Sequence, residues 1–197
     1  MNDTTVKIIL ASTSPRRKEI LEKMGVAFQV VASKYEEDMS LPLSPSDLVK
    51  HLAMGKAVDV ANRFPECLVI GADTIVVLGD EVMGKPHTND VAEEMLKKLS
   101  GKKHQVITGL AIIYKEGGVM INEVMPTSVY VKNLNKKEIS EYIATGEPLD
   151  KAGAYAVQGL GGALIEKTEG DYWNLVGLPA GRVATHLRAF GINAVEL

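Results

Sequence analysis

One acid interrupts an otherwise apolar run at residues 68–77, Leu-Val-Ile-Gly-Ala-Asp-Thr-Ile-Val-Val. The run reads as a central strand region, and the acid is Asp73. A carboxylate inside a strand is costly to bury unless it is paired, hydrogen-bonded or bound to a metal. Asp73 is therefore either a solved structural problem, such as a buried ion pair, or a working group. The rest of the chain tilts the choice towards the second.

The chain has 197 residues, enough for a sizeable core, and is most simply a single domain over 1–197, with room for two lobes. Its net charge of −3 argues against a general nucleic-acid or anionic-membrane surface, though a local basic pocket is compatible with it. The single cysteine, Cys67, rules out an intrachain disulfide and sits in an apolar run, as a small core residue would. One thiol, and a first stretch Met1-Asn2-Asp3-Thr4-Thr5 without a basic-then-apolar pattern, lead to the expectation of a reducing, cytoplasmic setting. No apolar run reaches the roughly 20 residues that span a bilayer.

Along the chain, residues 6–11 read as a buried strand. Ser12-Thr13-Ser14-Pro15-Arg16-Arg17 follows at once, with Ser14 suited to a helix N-cap and Pro15 to the first helical position. Ile20, Leu21 and Met24 continue the stripe to a stop at Gly25. Two hydroxyls and two arginines thus lie where a strand becomes a helix. Backbone N–H groups and the helix dipole favour an anion there, and arginine matches phosphate oxygens. The alternative is a capped helix whose first turn is basic and solvated, against the sign of the dipole.

Residues 28–32 read as a second strand, followed by the acidic run Glu36-Glu37-Asp38, which by itself suits a solvated loop. Ser46 or Asp47 is expected to cap a helix to about 63. Lys56 lies in that helix among small residues, where something could approach closely; on local grounds a surface lysine with a snorkelling stem fits better. After a turn at Gly79-Asp80, Gly84-Lys85-Pro86 sets a lysine between two backbone-restricting residues, either as a positioned cation or within a plain turn. Thr88 or Asn89 begins a helix to 99. Residues 106–114 and 120–134 pair as long strands, with Pro126 marking an edge or a bulge. Asn135 and Glu138 have capping-box spacing for a helix to 145. A strand at 163–167 and a helix at 179–190 close the chain.

Cations at 16, 17, 56 and 85 and acids at Glu36, Glu37, Asp73 and Asp150, if gathered, would suit a polyphosphate with a divalent metal. Mg²⁺ prefers oxygen ligands and keeps several waters, one of which it can activate. Other chemistries find no support. There is no P-loop, no G-x-G-x-x-G after a strand, no Cys/His pair at zinc spacing and no G-x-S-x-G elbow. His51, His87, His104 and His186 are isolated in sequence and read as structural or exposed.

These stretches in combination resemble the Maf family of nucleoside triphosphate pyrophosphatases, once described as septum-formation inhibitors. The stretches are Ser12 to Arg17; Gly71-Ala72-Asp73-Thr74-Ile75-Val76; Gly84-Lys85-Pro86; Leu99-Ser100-Gly101 with His104, Val106, Thr108 and Gly109; Gly146 to Tyr155; and Asn174 to Pro179. They run in order over nearly the whole chain. The resemblance implies an α/β fold, an elongated twisted mixed sheet flanked by helices, with two lobes about a central cleft, as in inosine-triphosphate pyrophosphatase. It implies metal-dependent hydrolysis, with Mg or Mn, of a nucleoside triphosphate to monophosphate and pyrophosphate. It makes Asp73 the proton acceptor, with Glu37 and Glu36 helping it hold the metal. It puts Ser12, Arg16, Arg17, Lys56 and Lys85 on the phosphates. Arg16, Thr74 and Gln158 are similar to the branch acting on dTTP and UTP. An amide at 158 offers the donor and acceptor that a uracil or thymine edge needs. The family also suggests a homodimer and, beyond its small-molecule substrate, no nucleic-acid or membrane partner. Ala156-Val157, where the family often has Gly-Ile, and Trp173 depart from the pattern and bear on the base pocket. The competing expectation is a non-catalytic nucleotide-binding regulator of cell division, which would not need the acids around Asp73.

Overall fold

The computed structural model describes residues 6–197. The stretch 1–5, read above for the absence of a leader, lies outside the described residues. Seven strands form one mixed sheet in the order β2-β1-β3-β5-β6-β7, with β4 paired to β3. They are β1 (Ile8–Leu10), β2 (Phe28–Val30), β3 (Leu68–Leu78), β4 (Glu81–Met83), β5 (Lys103–Tyr114), β6 (Val119–Val131) and β7 (Ile165–Glu169). The helices are α1 (Pro15–Lys23), α2 (Pro45–Arg63), α3 (Asn89–Leu99), α4 (Lys136–Ala144), α5 (Tyr172–Val176) and α6 (Ala180–Arg188). The mixed α/β class expected from the resemblance is the class observed.

The chain divides into two compact units. The first comprises Met1–Thr74, Thr108–Met125 and Val176–Leu197, and the second Ile75–Ile107 and Pro126–Leu175. In the first unit, β1 runs parallel to both β2 and β3. Side chains alternate between sheet faces. Ile9, Val69, Ala111 and Ile113 thus pack with Ala53, Ala57, Val60 and Ala61 of α2. α2 lies unusually close because two strand positions carry no Cβ. One built on Gly71 would stand 2.6 Å from the Ala53 carbonyl oxygen, and one on Gly109 would stand 2.3 Å from that of Val49. The second unit has its own core, with Val76, Leu96, Leu99, Val129, Val131, Ile139 and Tyr142 at its centre.

Several boundaries differ from the sequence reading, each for a local reason. The cap of α2 is Ser44, whose side chain accepts from Asp47 N–H, because Pro45 fits the first helical position better than Ser46 or Asp47 fit the cap. Ser14 is the cap residue of α1, but its hydroxyl caps nothing; its N–H instead donates to Ser12 Oγ at 3.2 Å. Pro126 lies inside β6, past Ser128, where the register with β7 ends, so it occupies a local edge as expected. Three short 3-10 turns, at Glu147–Asp150, Ala152–Ala154 and Leu160–Leu164, and the five-residue α5 had no periodicity to announce them. The capping box of α4 is present in full, with Glu138 N–H on Asn135 and Asn135 N–H on Glu138. Cys67 is buried, and burial raises its thiol pKa, as suits an inert core residue. No helix among the described residues is long and apolar enough to cross a membrane.

Candidate active site

Asp73 follows Gly71 by two residues, so its side chain leaves β3 on the same face, towards α2. The close approach of helix and strand at Gly71 brings Lys56, one residue before Ala57, within reach. Lys56 Nζ donates to Asp73 Oδ1 at 2.5 Å, and both side chains are nearly buried, at 12% and 10% exposure. The same ammonium reaches Glu37 Oε1 at 2.8 Å. Two carboxylates therefore share one cation. The snorkelling alternative for Lys56 is set aside: its head group faces inward.

Glu37 is brought there by a fastened loop. Asp59 Oδ2 accepts from Ser33 Oγ at 3.1 Å and from Lys34 N–H at 2.8 Å. Arg63 pairs with the same carboxylate. Tyr35 lies over α2 at Gly55, where an added Cβ would fall 2.5 Å from the ring, and meets His51 edge-on. Asp59, Tyr35 and Gly55 went unnoticed in the sequence, because a helix-surface acid and a lone aromatic beside an acidic run carry no motif. Glu36, adjacent to Glu37, is exposed and joins no ion pair among the described residues.

The opposite face of β3 carries the arginine cluster. Ser12 is in phase with Ile8 and Leu10, and Thr74 with Ala72, so both look away from α2. Arg17 joins them. Its Nη1 donates to Ser12 Oγ at 3.2 Å, its Nη2 to Thr74 Oγ1 at 3.3 Å and its Nε to the Gly177 carbonyl at 2.9 Å. Thr74 Oγ1 is also 2.9 Å from Thr108 Oγ1. Gly177 can hold φ +117°, a value that side chains rarely adopt. Burial lowers the Arg17 pKa, Asp73 draws it up and Arg16 presses it down, with a net lowering. Arg16 is half-buried on the first turn of α1 and makes no hydrogen bond among the described residues. Thr108 is a partner that only the family resemblance had marked.

In the second unit, Lys85 is exposed, beside buried Pro86. The Gly84 carbonyl accepts from Gly153 N–H at 3.1 Å, which fastens this turn. Gln158 is exposed on the arch 156–161. His104 and Tyr155 are buried and bonded, Nε2 to Oη at 2.8 Å, with their rings edge-on. Burial brings the His104 pKa down to about 4, so the ring is neutral near pH 7. Both are core groups, and His104 is structural rather than exposed. Tyr172 is exposed and edge-on to Trp173.

No group of three or more His, Cys, Asp or Glu side chains is placed to hold a metal ion among the described residues. Two carboxylates are nonetheless enough for Mg²⁺, which commonly takes one or two together with substrate phosphates. The Lys56 ammonium already lies between Asp73 and Glu37, so a divalent ion held by these oxygens would take its place.

The profile described as Maf-like protein matches residues 7–190. A protein of Bacillus cereus (strain B4264) named dTTP/UTP pyrophosphatase is 48% identical over 190 residues, covering 96% of this chain and 98% of its own. One of the same name from Methanosarcina barkeri (strain Fusaro / DSM 804) is 47% identical over 191 residues, covering 96% and 97%. Another so named, from Geobacillus sp. (strain WCH70), is 45% identical over 185 residues, covering 94% and 98%.

Proposed function

We propose a function from one premise: this chain belongs to the Maf family. It is a nucleoside triphosphate pyrophosphatase, and its substrates are dTTP and UTP. The observation that carries this reading is the bridge Asp73–Lys56–Glu37, which puts a nearly buried carboxylate beside a lysine ammonium and a second acid.

Asp73 is the general base. It takes a proton from a water whose oxygen bonds to the innermost phosphorus. The bond from that phosphorus to the bridging oxygen breaks, and pyrophosphate leaves with the electron pair. Asp73 and Glu37, with Glu36 nearby in the chain, would hold a divalent cation. When bound, that cation neutralises phosphate charge and acidifies its water. Lys56 then turns from the acids to phosphate oxygens. Arg17 has five N–H donors and spends three on the protein, so two remain for phosphate. Ser12 Oγ accepts from Ser14 N–H and Arg17, leaving its own O–H to donate. Arg16 and Lys85 add further positive charge. Thr74 orients Arg17, and Gln158 reads the base edge.

Incubation with dTTP or UTP and Mg²⁺ or Mn²⁺ should yield monophosphate and pyrophosphate in equal amounts. Diphosphate and orthophosphate on ion chromatography would place cleavage at the wrong bond and end this reading.

A further inference from the structure

Glu147 and Tyr142 have no part in the chemistry above, yet they form a sheltered polar group in the second unit with several hydrogen bonds. Glu147 Oε2 accepts from Leu160 N–H at 2.9 Å. Its Oε1 accepts from Gly161 N–H at 2.9 Å and from Tyr142 Oη at 2.8 Å. Tyr142 Oη in turn accepts from Ala156 N–H at 3.2 Å. The segment 156–161 is thus tied down at both feet, and a turn bond from Gly159 N–H to the Ala156 carbonyl closes it. Gln158 is at the crest of that arch.

The sequence is fitted to this carboxylate. A Cβ on Gly159 would stand 2.2 Å from Glu147 Oε2, and one on Gly161 would stand 2.5 Å from Tyr142 Oη. Only glycine lets the N–H groups close on the acid at these two places. Burial alone would raise the Glu147 pKa, but the bonds from Gly161 N–H and Tyr142 outweigh it and hold it below the usual carboxylate range. Burial and the Glu147 contact push the Tyr142 hydroxyl up, so it stays protonated and keeps donating.

We propose that Glu147 and Tyr142 are positioning residues for base recognition, holding the 156–161 arch so that the Gln158 amide meets the pyrimidine edge in one geometry. This rests on the reading of Gln158 as the base-reading group. A side chain on a loose loop must be ordered at each binding event, which weakens affinity and blurs discrimination. The anchored arch has already met that cost.

The test compares Q158A, E147A, E147Q, Y142F and the double variant E147A/Q158A in the full chain, by pyrophosphate release from dTTP, UTP and CTP with Mg²⁺. Q158A should lower the kcat/KM ratio of dTTP to CTP by about tenfold, the worth of one good hydrogen bond left unmade. E147A should lower the same ratio by about threefold or more, chiefly through KM, as expected when binding geometry rather than the chemical step is lost. E147Q keeps one acceptor and should lie between E147A and wild type. The double variant should discriminate no worse than Q158A, because Glu147 acts through residue 158. Amide exchange at Leu160 and Gly161 should quicken in E147A; should E147A fail to fold, Y142F, which keeps the ring in place, carries the same comparison. If Q158A alters the ratio while E147A and Y142F leave it at the wild-type value, the positioning role is overturned and the reading of Gln158 stands. If Q158A itself leaves the ratio unchanged, both fall.

Discussion

Two carboxylate sites in this chain are stabilised in opposite ways. In the first unit, Asp73 and Glu37 are balanced by a lysine ammonium. In the second, Glu147 is balanced by two backbone N–H groups and a tyrosine hydroxyl. N–H groups of the main chain cannot leave without unfolding the segment that carries them, so Glu147 is locked. A lysine head on a four-carbon stem can leave and let another cation take its place. One arrangement fixes a loop, and the other leaves two acids held only by a side chain. The difference separates a fixed carboxylate from the one proposed to work, which burial does not do, because Asp73 and Glu147 are both sheltered.

The largest effect that the comparison predicts is at Asp73. Replacing it by Asn keeps the shape and one acceptor but removes the proposed base. Turnover should fall by roughly 10²-fold or more, the range for loss of a general base. Circular dichroism and nucleotide binding should stay close to wild type. An Asp73→Asn protein with near-native kcat would move the working role elsewhere and erase the distinction.

The second effect concerns acid. The second unit keeps His104 neutral and buried, with its Nδ1 unpartnered among the described residues. Its folded pKa of about 4 lies below the ordinary 6.5. Between those values the unfolded chain binds the proton and the folded chain does not. The contribution is therefore complete above pH 6.5 and is lost as pH falls through 6.5 towards 4. The loss amounts to at most roughly 3.5 kcal/mol, at about 1.4 kcal/mol per unit. Urea unfolding at pH 7.5 and pH 4.5 should show it, and His104→Gln should flatten this part of the profile. An unchanged slope in that variant would mean that His104 is not the group concerned.

The third effect tests exchangeability directly. Lys56→Met leaves two acids facing each other without their cation. Stability without divalent metal should drop by about 2 kcal/mol, tempered by the half-exposure of Glu37. Millimolar Mg²⁺ should restore more thermal stability to this variant than to wild type. The same addition should do nothing for Glu147→Ala, whose lost partners are two N–H groups and a tyrosine hydroxyl.

Much of this was legible in the sequence, and what was not has a physical reason. Asp73 stood out because an acid in an apolar strand is improbable without a purpose. Residues 12 and 17 were legible together because a strand-to-helix turn concentrates N–H groups and cations. Gly71 was visible as part of a motif, but its use, admitting the Ala53 carbonyl to 2.6 Å from where a Cβ would sit, appears only when helix and strand are laid together. Lys56 looked like a surface lysine, because inward and outward lysines differ only in what lies opposite. The arch at 156–161 has no period of 2 or 3.6, so its anchoring by a residue about ten positions earlier could not be read from pattern.

The smallest predicted effect lies at the latch that delivers Glu37. Asp59 fastens Ser33, Lys34 and Arg63 to α2, with Ser33 two residues upstream of Tyr35 and four upstream of Glu37 along the loop. Its pKa is lowered chiefly by the Lys34 N–H bond, with Arg63 and Ser33 adding to it against burial. Asp59→Ala should cost only about 1 kcal/mol of stability, since the site is partly open to water. Its more telling consequence is local. A loosened loop leaves Glu37 free to wander, while Asp73 and Lys56 stay fixed by β3 and α2. The Mg²⁺ concentration for half-maximal rate should then rise a few-fold, while kcat at saturating metal should hold. If kcat fell instead and the metal requirement stayed put, Glu37 would belong with the locked carboxylates after all, and the exchangeable site would consist of Asp73 and Lys56 alone.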